Sequence, residues 1–86
     1  MNKKATEKDK ILTIGELAEV SGVRHTTLKY YTELGILSFS QEGERLTRKY
    51  KEEETLDRLE KIKELKGKRL TIKEIVEYFN NSSNEG

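Results

Sequence analysis

Apolar residues recur in this chain at helical spacing in four places, separated by short polar or glycine-containing stretches. Thr13-Ile14-Gly15-Glu16 has the Thr-x-x-Glu spacing of a capping box, and Ile14, Leu17 and Ala18 stand at i, i+3 and i+4 from its second residue. In that motif the threonine side chain accepts an N–H three residues on and the glutamate reaches back. A first helix of about two turns is predicted, closed at Ser21-Gly22 because glycine tolerates the left-handed exit conformation. After polar residues 24–27, Leu28, Tyr31 and Leu34 follow at successive i+3 steps and end at Gly35, predicting a second helix with one apolar stripe. The pattern then shortens to alternation, with Leu37 and Phe39, then Leu46 and Tyr50, around Gln41-Glu42-Gly43-Glu44, which suits a two-stranded hairpin. Leu56, Leu59, Ile62 and Leu65 predict a third helix over 52–66, with acids crowding its start and Gly67 as its stop. Thr71-Ile72-Lys73-Glu74 repeats the capping-box spacing, and Ile72, Ile75, Val76 and Phe79 predict a fourth helix packed on the third.

The fold class that follows is mostly α with a small β-hairpin wing. Two short helices joined by a glycine-containing turn are the helix-turn-helix arrangement, in which the first helix holds out the second. With the hairpin this makes a four-helix winged helix-turn-helix. At 86 residues the chain is one domain at most. Residues 1–10 are polar and charged and are expected to form a flexible basic arm, residues 11–80 the domain, and residues 81–86 a flexible tail or linker. The octets TIGELAEV and TIKEIVEY share a capping box and a stripe, and two copies are too few to establish a repeat.

Composition narrows the chemistry. There is no cysteine, so disulfides and thiolate metal sites are excluded, and helix packing must supply the stability. One histidine leaves no metal-spaced set, and no nucleophile elbow or phosphate loop appears, so neither an enzyme nor a cofactor is expected. No apolar run approaches the ~20 residues of a membrane span, and residues 1–10 lack the apolar region of a signal peptide. A cytoplasmic protein with no membrane partner is therefore expected.

The formal charge of +1 conceals a segregated surface. Residues 24–51 hold six cations (Arg24, Lys29, Arg45, Arg48, Lys49, Lys51) against three acids, a local +3, whereas residues 52–64 hold six acids against three cations, a local −3. A basic side over the second helix and wing, backed by an acidic side, is what duplex DNA asks for, because lysine and arginine release condensed counterions. A soluble protein with 38% charged residues also shows such fluctuations by chance.

The run Leu12-Thr13-Ile14-Gly15-Glu16-Leu17-Ala18, then Gly22-Val23, then Thr27-Leu28-Lys29-Tyr30-Tyr31 and Leu34-Gly35-Ile36-Leu37 resembles the winged-helix DNA-binding domain of the MerR family of transcriptional regulators. The family wording is close to TIGELA, GV, TLRYY and GL. The resemblance continues through Arg48-Lys49-Tyr50, similar to the family's RLY, and into Leu70-Thr71-Ile72-Lys73-Glu74-Ile75, covering roughly residues 12–79. The departures are Lys29 where the family has arginine, which keeps the cation but loses the planar fork, and a wing without the family's Pro and Gly-Tyr-Arg.

The resemblance implies that the N-terminal half of the second helix enters the major groove, making Arg24, His25, Thr26 and Thr27 the base-contact candidates. An ordinary solvated helix start is the alternative, and Thr27 could equally be a packing residue. Thr13, Lys29, Tyr30 and Tyr31, with Arg45, Arg48 and Lys49 on the wing, are the implied phosphate or backbone contacts. Tyr31 also sits on the apolar stripe of Leu28 and Leu34, where it would be core, leaving Tyr30 exposed. In the family, paired domains bind an inverted repeat and distort the promoter for RNA polymerase, and members usually continue into a long dimerisation helix and often an effector domain. This chain has no long heptad, so a monomer is expected that dimerises on DNA or through a missing C-terminal segment, and both a stand-alone domain and a fragment fit. Two other readings remain: a small architectural DNA-binding protein of excisionase or partition type, and a winged helix that docks a protein.

Overall fold

The computed structural model describes residues 10–42 and 47–85. The elements run β1 (Ile11–Leu12), α1 (Ile14–Ser21), α2 (His25–Leu34), β2 (Ser40–Glu42), β3 (Thr47–Lys51), α3 (Glu52–Gly67) and α4 (Ile72–Glu85). Four helices and a three-stranded antiparallel sheet make the winged helix-turn-helix that the apolar spacing predicts. Residues 1–9 of the expected arm, residues 43–46 of the hairpin turn with the candidate Arg45, and residue 86 of the expected tail lie outside the described residues.

Both capping boxes form. Thr13 N–H donates to Glu16 Oε1 at 2.9 Å and Glu16 N–H to Thr13 Oγ1 at 3.2 Å; the corresponding Thr71 and Glu74 pair closes at 2.8 and 3.1 Å. Helix α1 ends at Gly22 with φ 76° and α2 at Gly35 with φ 84°, both left-handed, as the glycine positions predict.

Three boundaries differ from the sequence reading. Gly67 does not stop α3; it is the last helical residue, and the left-handed turn falls at Arg69, with φ 72°. There Arg69 N–H donates to the Lys66 carbonyl at 2.9 Å and Leu70 N–H to that of Leu65 at 3.2 Å, a Schellman closure. The same pair closes α2, where Gly35 donates to Thr32 and Ile36 to Tyr31. Helix α4 continues through Glu85, so residues 81–85 of the expected flexible tail are helical in backbone. Gln41 and Glu42, expected in the hairpin turn, belong to strand β2.

The wing has a third strand. Its order is β1-β3-β2, with Ile11 opposite Lys51, Leu12 opposite Tyr50, and Ser40, Gln41 and Glu42 opposite Lys49, Arg48 and Thr47. Lys51 is the last residue of β3 and Glu52 the first of α3, and Glu52 N–H donates to the Lys10 carbonyl at 2.8 Å.

One core joins all the layers. Leu12, Leu17, Leu28, Tyr31, Ile36, Leu37, Tyr50, Leu59, Ile62, Leu65, Ile75 and Phe79 are buried, with Leu56, Ile72 and Val76 packed at its margin. Arg58 bridges three elements by donating from Nη1 to the Ile36 carbonyl at 2.7 Å and laying its guanidinium 4.2 Å from the centre of the Phe79 ring. A turn further on, Lys61 pairs with Glu64 at 3.5 Å and lies over Tyr78. Glu64, and then Tyr78, raise the pKa of its exposed ammonium.

Candidate nucleic-acid interface

Helix α2 divides cleanly by burial. Leu28, Tyr31 and Thr32 are buried, while His25, Thr26, Lys29, Tyr30 and Glu33 are exposed, and the split follows the period of 3.6. Tyr30, 48% exposed, and Tyr31, 6% exposed, are neighbours with opposite environments. The core alternative for Tyr31 is therefore the one the structure adopts. Thr27 is half-buried and lines, with Tyr31, Val20, Val23, Leu56 and Lys63, a groove of about 570 Å³ between α1, α2 and α3. The base-contact candidates on the exposed face are thus Arg24, His25 and Thr26, with Lys29 and Tyr30 one turn on. Thr27 stands apart from them.

The four helices differ at their N-termini. Glu16 lies in the first turn of α1, Glu52, Glu53 and Glu54 in that of α3, and Glu74 in that of α4. The first turn of α2 has no acid, and its N-cap residue, Arg24, makes no side-chain cap bond. The first N–H groups of an α-helix lack intrahelical partners and carry about half a positive charge as the helix dipole. Among the described residues, α2 alone leaves that end uncompensated and adds an arginine to it. Arg24 also lacks the short oxygen side chain that caps a helix.

The wing contributes a second cationic element. Successive side chains of a strand alternate in face, so Arg48 shares the Tyr50 side of β3, and Lys49 shares the other with Lys51. Arg48 and Lys49 are half-buried, and Tyr50 is fully buried. The Arg48 guanidinium lies 5.1 Å from the centre of the Phe39 ring, and that ring lies 6.3 Å from the ring of Tyr50. The wing is tied to α2 through the core, where the Tyr50 phenol and the Thr32 hydroxyl are 2.9 Å apart.

Thr13 stands at the start of α1. Its Oγ1 accepts the Glu16 N–H, which leaves its own hydroxyl hydrogen for another acceptor. Arg45 falls among residues whose structure is outside the described set. Among the described residues no three His, Asp or Glu side chains converge as a metal site would require, and no helix is long and apolar enough to cross a membrane. The bare N-terminus of α2 was open to sequence reasoning through the missing Ser, Thr, Asp or Asn before His25, but only in contrast with the two capping boxes.

Comparison with known proteins follows the same outline. The chain is 39% identical over 62 residues to the mercuric resistance operon regulatory protein of Bacillus cereus, an alignment that takes in 72% of this chain and 46% of that protein. The chain thus spans about half the length of this curated relative. No solved structure gives a significant match. The family model described as MerR HTH family regulatory protein matches residues 12–82, from β1 through the larger part of α4, and the chain therefore belongs to the MerR family of helix-turn-helix regulators, not to a family of enzymes.

Proposed function

We propose that this domain binds double-stranded DNA as part of a transcriptional regulator, with α2 in the major groove and the wing on the flanking backbone. One observation carries the reading: the exposed face of α2 begins at an uncapped, acid-free N-terminus bearing Arg24, and continues through His25, Thr26, Lys29 and Tyr30. Phosphate groups are favoured at such an end, and a helix presents its N-terminal side chains to base edges when it lies in the major groove. Arg24 reads a guanine edge, His25 and Thr26 reach neighbouring bases, and Lys29 and the Tyr30 hydroxyl take phosphates. Arg48 and Lys49 hold the adjacent backbone, and Thr13 donates its remaining hydroxyl hydrogen to a phosphate. Arg45 is assigned to the same backbone contact on its sequence position. Membership of a regulator family supports the same task.

The test is fluorescence anisotropy of a labelled mixed-sequence duplex at two salt concentrations, with Lys29→Glu and Arg48→Glu variants. Binding should weaken as salt rises, with a slope of about −0.9 per phosphate neutralised, and both variants should lose most of the affinity. Binding that ignores salt, or that survives both charge reversals, would overturn the reading.

A further inference from the structure

We propose that Phe39, a residue with no assigned role in this domain, is a positioning residue that holds the Arg48 guanidinium in place for a nucleic-acid phosphate. The inference rests on the DNA-binding reading above.

Phe39 is 40% exposed, a poor position for a phenylalanine that serves only the core. It lies just ahead of β2, and its ring touches two side chains of β3. The buried Tyr50 ring is 6.3 Å away, and the Arg48 guanidinium is 5.1 Å away. The first contact fixes the ring, and the ring then offers its face to the cation.

The molecule has a second arginine over a phenylalanine, and the contrast shows what the first is for. Arg58 over Phe79 also donates to the Ile36 carbonyl, so its hydrogen-bonding fork is engaged inside the protein. The contact the structure shows for the Arg48 guanidinium is its stack on Phe39. A guanidinium stacked through its face keeps its edge donors turned outward, for the planar, two-point hydrogen bonding that suits a phosphate. Stacking also removes rotamer freedom before binding, so less is lost when the contact forms.

The stack can be read without DNA. The ring current of Phe39 should move the δ-protons of Arg48 upfield in the wild-type protein, and Phe39→Leu should abolish that displacement while Phe39→Tyr keeps it. On the labelled mixed-sequence duplex, Phe39→Leu should weaken binding about two- to five-fold, the range an exposed cation–π contact supplies, and Phe39→Tyr should bind as wild type. In an Arg48→Ala background, Phe39→Leu should cost nothing more. Thermal unfolding of each variant separates this from loss of fold, since a purely structural Phe39 would weaken binding in both backgrounds alike.

Unshifted Arg48 protons overturn the stack itself. A full Phe39→Leu effect without Arg48 overturns its positioning role. A wild-type chain that does not bind the duplex overturns the underlying DNA reading even where the proton shift is present.

Discussion

The phenol of Tyr50 donates its hydrogen to the hydroxyl oxygen of Thr32 in the buried centre of the domain. The two oxygens are 2.9 Å apart, and the single hydroxyl hydrogen of Thr32 is already given to the Leu28 carbonyl at 2.8 Å, so the direction of the bond is decided. Through it, strand β3 of the wing is fastened to α2. Tyr50→Phe removes a donor but strands nothing with an unmet hydrogen, and should cost about 1 kcal/mol. Thr32→Val leaves the phenol hydrogen without a partner in the core and should cost more, about 1–3 kcal/mol. The double variant should be less destabilised than the sum of the two. Urea denaturation of the four proteins measures all three terms.

Arg58 does for the back of the domain what Tyr50 does for its front. Its bond to the Ile36 carbonyl satisfies the backbone where α2 turns toward the wing, and its stack on Phe79 anchors α4. Arg58→Met keeps much of the packing and loses the charged bond, and should destabilise by about 1.5–3 kcal/mol. On a domain of this size that lowers the thermal midpoint by roughly 6–24 °C, which calorimetry would detect. A change within error would mean that the Ile36 carbonyl finds water as readily as the guanidinium.

The two Schellman closures form a matched pair with opposite expectations. Gly35 and Arg69 hold the same left-handed position after α2 and α3, with φ 84° and 72°. Gly35→Ala should destabilise by about 1 kcal/mol or more, because the added Cβ pays the left-handed penalty. Arg69→Gly should stabilise by up to about 1 kcal/mol by relieving that penalty, less what glycine loses in chain entropy. Stability curves in denaturant with an unchanged m-value would check both signs.

Most of the helical frame was legible in the sequence because its signals are local. The capping boxes at Thr13 and Thr71 and the i+3 and i+4 stripes are decided within a turn or two of chain. What was not legible depends on distant partners. Strand β1 is two residues long, too short for any alternation, and exists because Tyr50 and Lys51 lie beside it. Gly67 carries the usual stop signal, but the Schellman bonds of Arg69 and Leu70 place the exit two residues later. Asn80 and the polar residues after it have a linker's composition, yet continue the turn begun by α4. At the site, Arg24, His25, Thr26, Lys29 and Tyr30 were named through the family resemblance, and all five are exposed. The packing alternatives for Thr27 and Tyr31 were open in the sequence, and the burial of Tyr31 and the groove against α3 decide for them. Phe39 falls in the alternation of apolar residues, yet its ring is exposed and stacks on an arginine of the neighbouring strand.

The passage from Lys51 to Glu52 leaves no spare residue between the last strand of the sheet and the first turn of α3. A loop there would act as a swivel and let the hairpin settle independently onto whatever it meets. Without one, with Glu52 also pinned to Lys10 and Tyr50 to Thr32, the hairpin and the helix face are gauge blocks set at a fixed separation. A target that does not match that separation cannot be accommodated by the protein closing on it. On the proposed DNA-binding reading, the misfit passes to the duplex, which is bent or twisted to be held at both points.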